Sequence, residues 1–278
     1  KEALDHILFY GPPGLGKTSF AHVIANEMNT QMHITSGPTI ERPGDLASIL
    51  TSLSENDILF IDEIHRLSKV VEEILYPAME DFAIDIMLGK GAGAKSVRID
   101  LPKFTILGAT TKVGSVSAPL RDRFGTLLRL DFYSPLELTQ IIMQKSKILG
   151  IEITSENANQ IASRSRGTAR IAVRLTKRVR DFSIYNDENI NEKNIDECMK
   201  MLEIDEFGLD EMDRKILKVI SNDFNGGPVG VSTISASLSE DENTLEDLYE
   251  PYLIQLGFLQ RTPKGRLITQ KGLEYITN

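Results

Sequence analysis

Gly11-Pro12-Pro13-Gly14-Leu15-Gly16-Lys17-Thr18 follows the apolar run His6 to Tyr10 and opens a helical pattern at Lys17. A glycine-rich turn between a buried strand and a helix makes a phosphate cradle. Its glycines let the backbone curl until successive N–H groups and the helix N-terminus face an anion. Lys17 adds a point charge for the β- and γ-phosphates, and the Thr18 hydroxyl offers an oxygen to Mg²⁺. The expected nucleotide-binding segment is therefore Gly11, Pro12, Gly14, Leu15, Gly16, Lys17, Thr18 and Ser19, and the expected cofactors are ATP and Mg²⁺. The alternative is a strand-to-helix turn with no ligand, and it must explain an eight-residue match in the right context.

Outward from this loop, apolar runs at His6–Tyr10, Ile58–Ile61 and Phe104–Leu107 alternate with helical patterns. That rhythm predicts an α/β domain with a parallel sheet and helices on both faces, over residues 1–133. Two β-like runs, Ile84–Leu88 and Ser96–Leu101, flank Gly89-Lys90-Gly91-Ala92-Gly93 and predict an inserted hairpin at about 83–101. Beyond Ser134-Pro135 the pattern is helical as far as residue 204, with Ser134 and Glu137 as a capping box and Gly150 as a stop. This predicts a small helical lid. Residues 205–278 predict three helices, at about 210–222, 231–239 and 242–256, then two strands around Thr262-Pro263-Lys264-Gly265, which is a winged helix.

Composition narrows the class. The chain has 278 residues, 41% hydrophobic and 26% charged, which fits a folded multidomain protein and gives no run long enough to span a membrane. The single cysteine, Cys198, has no partner for an internal disulfide, so a reduced cytoplasmic compartment is expected. The sequence opens at Lys1 with no initiator methionine and no signal-peptide pattern, and a piece of a longer polypeptide is the expectation. A net charge of -9 argues against nonspecific coating of nucleic acid, so DNA contact needs a local basic patch.

Ile58-Leu59-Phe60-Ile61-Asp62-Glu63 is a buried strand ending in two acids. Asp62 can hold the metal shell while Glu63 reaches a water in line with the γ-phosphate, which is an arrangement for hydrolysis. A third strand runs into Gly108-Ala109-Thr110-Thr111, where Thr111 or Thr110 can sense the γ-phosphate, although threonine is also simply common in strands. In Pro119-Leu120-Arg121-Asp122-Arg123, an arginine can reach a neighbouring subunit's γ-phosphate, and an intrachain Arg–Asp pair is the alternative. Gly167-Thr168-Ala169-Arg170 opens a helix whose first cation can fold back over the phosphates. Arg174, Lys177, Arg178 and Arg180 follow on the same helix, so a solvated basic face competes with that role.

These stretches resemble the RuvB family of AAA+ motors that drive Holliday-junction branch migration. So do Leu4-Asp5-His6, Asp62-Glu63-Ile64-His65-Arg66-Leu67, Tyr76-Pro77-Ala78-Met79-Glu80-Asp81, Glu250-Pro251-Tyr252-Leu253 and Arg261-Thr262-Pro263-Lys264-Gly265-Arg266. The resemblance covers essentially the whole chain. It implies ATP and Mg²⁺ on Lys17 and Thr18, the acidic pair Asp62 and Glu63, an arginine finger at Arg123, a sensor at Arg170 and a nucleotide contact at Tyr133. It further implies a homohexameric ring acting in recombination and repair, a RuvA partner docked on the 83–101 hairpin, where Ile84, Ile86 and Leu88 alternate, and a RuvC-type resolvase in a larger complex. The chain departs from the family at Lys112, where an arginine is usual, and the family's N-terminal adenine-pocket segment is not in this sequence.

Residues 205–278 hold 13 acids and 7 bases, yet Arg261, Lys264, Arg266 and Lys271 cluster after residue 260. The expected DNA contacts are Arg261, Lys264 and Arg266 on the wing. Glu242, Glu246, Asp247 and Glu250 on the third helix would repel phosphates in a major groove. Backbone contact without base readout suits a motor that must not stall at each step. A solubilising turn, or a protein-binding winged helix, is the alternative for this patch. A nucleotide-gated transcriptional switch and a clamp-loader-like ATPase are the rivals for the whole chain. Glu63 and Arg123 weigh against the first, and the absence of zinc-binding cysteines and of a tandem ATPase domain weighs against the second.

Overall fold

The apolar runs near the start of the chain become the inner strands of a five-stranded sheet in the computed structural model, which describes residues 3–88 and 95–277. The chain separates into two units, Lys1–Phe132 and Tyr133–Asn278. In the first, β1 (Ile7–Tyr10), β2 (Met32–Ser36), β3 (Ile58–Asp62), β6 (Thr105–Thr110) and β7 (Thr126–Arg129) lie in the order β2-β3-β6-β1-β7. Every pairing in this sheet is parallel. Between β3 and β6, strands β4 (Ala83–Leu88) and β5 (Lys95–Asp100) form a separate antiparallel hairpin. The stretch Gly89-Lys90-Gly91-Ala92-Gly93 lies outside the described residues.

Alternation in the inner strands explains the two-faced sheet. Leu8, Leu59, Ile61 and Ile106 point into one core with α2 (Pro43–Thr51) and α3 (Lys69–Glu80). Phe9, Ile58, Phe60, Leu107 and Ala109 point into the other with α1 (Lys17–Met28). Strand β6 is buried at all six positions, so it is central. His6, just before β1, ties three elements together: the Ile106 N–H donates to its Nδ1 at 2.9 Å, which leaves Nε2–H to donate to the Met79 carbonyl at 3.1 Å. Burial lowers the pKa of this ring, in keeping with a neutral tautomer.

Ile84 is fully buried in the first core, and Ile86 packs against it. Of the two readings of this alternation, an apolar docking face or packing on the hairpin's own domain, Ile84 and Ile86 follow the second, and the Leu88 side chain lies outside the described residues. Of the described apolar side chains on this hairpin, that of Val97 is exposed. A short α4 (Ala118–Arg121) precedes β7.

The second unit holds two cores. The first gathers α5 (Pro135–Leu149), α6 (Ser155–Ser163), α7 (Ala169–Tyr185) and α8 (Glu192–Met201) around Ile142, Ile161, Leu175 and Ile195. Ser134 and Glu137 form the expected capping box on α5, and Gly150 closes that helix at φ 65°. The second core gathers α9 (Glu211–Lys218), α10 (Val231–Leu238), α12 (Glu250–Gln255), the antiparallel pair β8 (Leu259–Thr262) and β9 (Gly265–Ile268), and α13 (Gln270–Thr277), while the short α11 (Glu242–Thr244) buries none of its residues. A π-helical turn, Leu245–Tyr249, joins α11 to α12. This is a winged helix with one terminal helix added. No helix among the described residues is long and apolar enough to cross a membrane.

Arg166 pins the two cores of this unit together. Its guanidinium donates to both carboxylate oxygens of Asp213, at 2.9 and 3.1 Å, and lies over the Tyr252 ring at 4.8 Å. Asp213 is wholly buried, and that burial pushes its pKa up to about 7 against the pull of Arg166. Removing the guanidinium leaves an uncompensated buried carboxyl, at a cost of about 3–5 kcal/mol. A buried acid whose folded pKa lies above its unfolded value loses stabilisation as pH rises through the folded value. Arg166→Ala should therefore lower urea stability more at pH 8 than at pH 5, and an equal loss at both would contradict the reading.

Candidate functional site

The C-terminal ends of β3, β6 and β1 lie side by side, and each carries residues singled out in the sequence. In register, Tyr10 of β1 faces Thr110 of β6, and Ile61 of β3 faces Gly108. The edge beyond the strand ends is where α/β sheets bind ligands. Lys17, Thr18, Asp62, Glu63, Thr110 and Thr111 all sit at this edge, within the first unit.

The loop from Gly11 to Gly16 is built for close approach. Gly11, Gly14 and Gly16 have φ of 140°, 82° and 96°, conformations that disfavour any side chain. A Cβ on Gly11 would also run into the Leu130 carbonyl. Lys17 is 8% exposed, and its ammonium donates to the Gly11 and Pro12 carbonyls at 2.8 and 2.9 Å. Its charge is thus held inside the curl of the loop. Helix α1 begins at Lys17 with no acid in its first turn, so its N-terminal N–H groups favour an anion.

Asp62 ends β3, and its Oδ1 accepts the Glu63 N–H at 3.0 Å. Glu63 itself sits at φ 48°, ψ 44°, a left-handed conformation that costs a non-glycine residue on the order of 1–3 kcal/mol. That turn lifts the Glu63 side chain off the sheet direction. Next to it, the 3₁₀ turn Ile64–Arg66 carries His65, which the sequence reading quoted only as part of a longer stretch. Its Nδ1 lies 3.4 Å from Glu63 Oε2 and 2.9 Å from Thr110 Oγ1. Thr110 is fully buried and also accepts the Lys112 N–H at 3.0 Å, whereas Thr111 follows the strand and is half-buried.

A magnesium ion bound with ATP needs few protein oxygens, since phosphates and water complete its octahedron. No cluster of three or more metal-binding side chains occurs among the described residues, and the oxygens at this edge that could hold such an ion are those of Thr18 and Asp62.

Arg123 is held within its own unit. Its Nη1 donates to the Pro119 carbonyl at 2.7 Å, its Nε lies 3.2 Å from Glu80, and its guanidinium covers the Tyr76 ring at 4.3 Å. The acid beside it is Glu80, on α3, rather than Asp122. A cavity of about 590 Å³ beside Arg123 is lined by Asp5, His6, Glu55 and Lys103 and includes no P-loop residue. Tyr133 and Arg170 belong to the second unit. The Tyr133 N–H donates to the Gly167 carbonyl at 2.9 Å, and Arg170 is exposed in the first turn of α7 with Arg174, Lys177 and Arg178 exposed along the same helix.

On the wing, one expectation is corrected. Arg266 is 8% exposed, with Nε donating to Glu250 at 2.6 Å and Nη2 to Glu246 at 2.5 Å. Glu250 is itself 3% exposed. This arginine is a buried ion-pair partner, so it is not available to a phosphate. Arg261 is exposed but also donates to Glu246 and Glu250, each at 2.8 Å. Two of the third-helix acids thus neutralise wing cations instead of facing outward, and Lys264, exposed in the turn, is left as the wing's foremost charge.

Three family descriptions match the chain in succession: the Holliday junction DNA helicase RuvB P-loop domain over residues 1–130, the RuvB AAA lid domain over 133–205, and the RuvB C-terminal winged helix domain over 206–277. Similar curated proteins include the Holliday junction branch migration complex subunits RuvB of Chloroflexus aurantiacus and Chloroflexus aggregans. Each is 56% identical over 276 residues, covering 99% of this chain and 79% of the relative. Among solved structures, the Thermotoga maritima RuvB Holliday junction branch migration motor has a TM-score of 0.89 at 51% identity, covering 99% of this chain and 88% of that one. A point variant of the same Thermotoga protein gives 0.90 at 52% identity.

Gly11→Ala tests the cradle. Its backbone conformation and the Leu130 carbonyl both exclude a Cβ, so affinity for a fluorescent ATP analogue should fall at least about tenfold. Unchanged affinity would show that the loop does not approach phosphate as described.

Proposed function

Because the chain belongs to the RuvB family, we propose that it is an ATP-driven DNA motor that moves the branch point of Holliday junctions in recombination and repair, together with a RuvA-type junction-binding partner. The observation that carries this reading is the joining of a P-loop to the Asp62–Glu63 strand end on one sheet edge, in a chain that also bears a winged helix. Binding alone would not call for a carboxylate held in a left-handed turn beside the phosphate site.

Lys17, Thr18, Ser19 and the loop glycines hold the phosphates of ATP, and Tyr133 and Arg170 bring the lid to the same nucleotide. Glu63 orients the attacking water, while Thr111, or Thr110 beside it, reads the γ-phosphate. Mg²⁺ held near Thr18 and Asp62 offsets charge between the β- and γ-phosphates. Arg123 leaves its perch on Tyr76 and Glu80 to reach a neighbour's nucleotide, so the working form has sites shared between subunits, and the family resemblance makes that form a homohexameric ring. Residues 1–133, 134–204 and 205–278 serve as motor, lid and DNA-contacting winged helix, and the 83–101 hairpin takes the RuvA-type partner. A RuvC-type resolvase joins the larger complex, in the cytoplasm.

Parent, Glu63→Gln and Arg123→Ala proteins should be compared for Mg²⁺-dependent ATP hydrolysis with and without duplex DNA. The parent should be stimulated by DNA. Glu63→Gln should still bind ATP while losing at least about 100-fold in turnover, and Arg123→Ala about 1,000-fold. Turnover indifferent to DNA and to both substitutions would remove the motor reading.

The wing is tested by salt dependence. Lys264→Ala should weaken duplex binding and reduce the slope of log affinity against log salt by about one. Arg266→Ala should instead lower the melting temperature, because the buried Glu250 loses its buried partner and keeps only the exposed Arg261. The reverse pattern would mean that Arg266 leaves its pocket to meet DNA.

A further inference from the structure

We propose that His65 is a positioning residue that couples the end of β6 to Glu63. This rests on the reading of Glu63 as the group that orients water. The geometry is a contest for one atom. A ring nitrogen presents a single N–H or a single lone pair in the ring plane, so it can serve one partner well at a time. His65 Nδ1 faces two oxygens, Thr110 Oγ1 at 2.9 Å and Glu63 Oε2 at 3.4 Å. The carboxylate has no proton to give, so its attraction requires Nδ1–H, and that same hydrogen can be accepted by the Thr110 hydroxyl. In the arrangement observed, the threonine holds the shorter contact.

Everything around the pair limits how either partner can adjust. Thr110 is fully buried and anchored by the Lys112 N–H at 3.0 Å, on a strand whose next residue is a proposed phosphate sensor. The His65 side chain is 11% exposed, in a one-turn 3₁₀ helix that follows directly on the left-handed Glu63. The Glu63 side chain is 35% exposed and so has the most room of the three to change partners. A displacement of the β6 end on binding or losing a phosphate shifts Thr110: moved away, it frees the Nδ1 hydrogen to capture the Glu63 carboxylate, and moved back, it takes that hydrogen and releases the carboxylate. The strand that reads the phosphate and the acid that orients water thereby act together, without touching each other.

Asparagine and glutamine separate this role from a structural one. The side-chain amide of Asn reaches about as far as Nδ1, whereas that of Gln reaches about as far as Nε2, so Gln keeps more bulk but misplaces the donor. His65→Gln and His65→Ala should lower kcat at least about tenfold while KM and the affinity for ATP stay within about twofold. His65→Asn should recover most of the loss. Thr110→Val combined with His65→Ala should cost no more than the larger single loss, because both changes break one link. The coupling is overturned if His65→Gln turns over like the parent, if Gln rescues better than Asn, or if the two losses multiply. If Glu63→Gln keeps parental turnover, the reading of Glu63 falls and the coupling with it, an outcome told apart from the others by which variant is silent.

Discussion

The parallel insertion of β6 between β1 and β3 is the constraint on which the site depends. Those three strands are the most apolar of the sheet, and β6 has no exposed position along its length. Burial on both faces fixes their register, since a one-residue slip would exchange the two cores. Because all three run the same way, the P-loop, the Asp62–Glu63 pair and the Thr110–Thr111 end emerge together at one edge. A hydrophobic pattern thus does the catalytic positioning.

At that edge the backbone takes conformations that most side chains disfavour. Three loop glycines with positive φ and a glutamate in the left-handed region follow directly from strands that cannot shift. Such conformations persist only when their surroundings over-determine them. Here the surroundings are the two cores under the sheet, together with His6, whose ring ties β6 to α3 at the opposite end of the strands.

Much of this was legible in the sequence, and what was not has physical reasons. The inner strands announced themselves as apolar runs. The edge strands β2 and β7 did not, because both are short and mix apolar with polar residues, as in Met32-His33-Ile34-Thr35-Ser36 and Thr126-Leu127-Leu128-Arg129. The winged helix was readable from its turn residues, but α13 was not. Charge misled at Arg266, since a basic residue beside a glycine turn reads as exposed until the fold brings Glu246 and Glu250 beneath it. Ile84 misled in the opposite sense, as an alternating strand residue that turned out to belong to the core. His65 could not be assigned from spacing, for 45 residues separate it from Thr110, which the fold brings to the same ring nitrogen that faces Glu63.

The account requires a site that one subunit cannot complete, because Arg123 serves a neighbour's nucleotide. Mixing Lys17→Ala subunits with Arg123→Ala subunits measures this most directly. Each variant alone should be inactive, and the mixture should regain ATP hydrolysis, since an intact P-loop then meets an intact arginine across some interfaces. A mixture no more active than either variant alone would contradict shared sites.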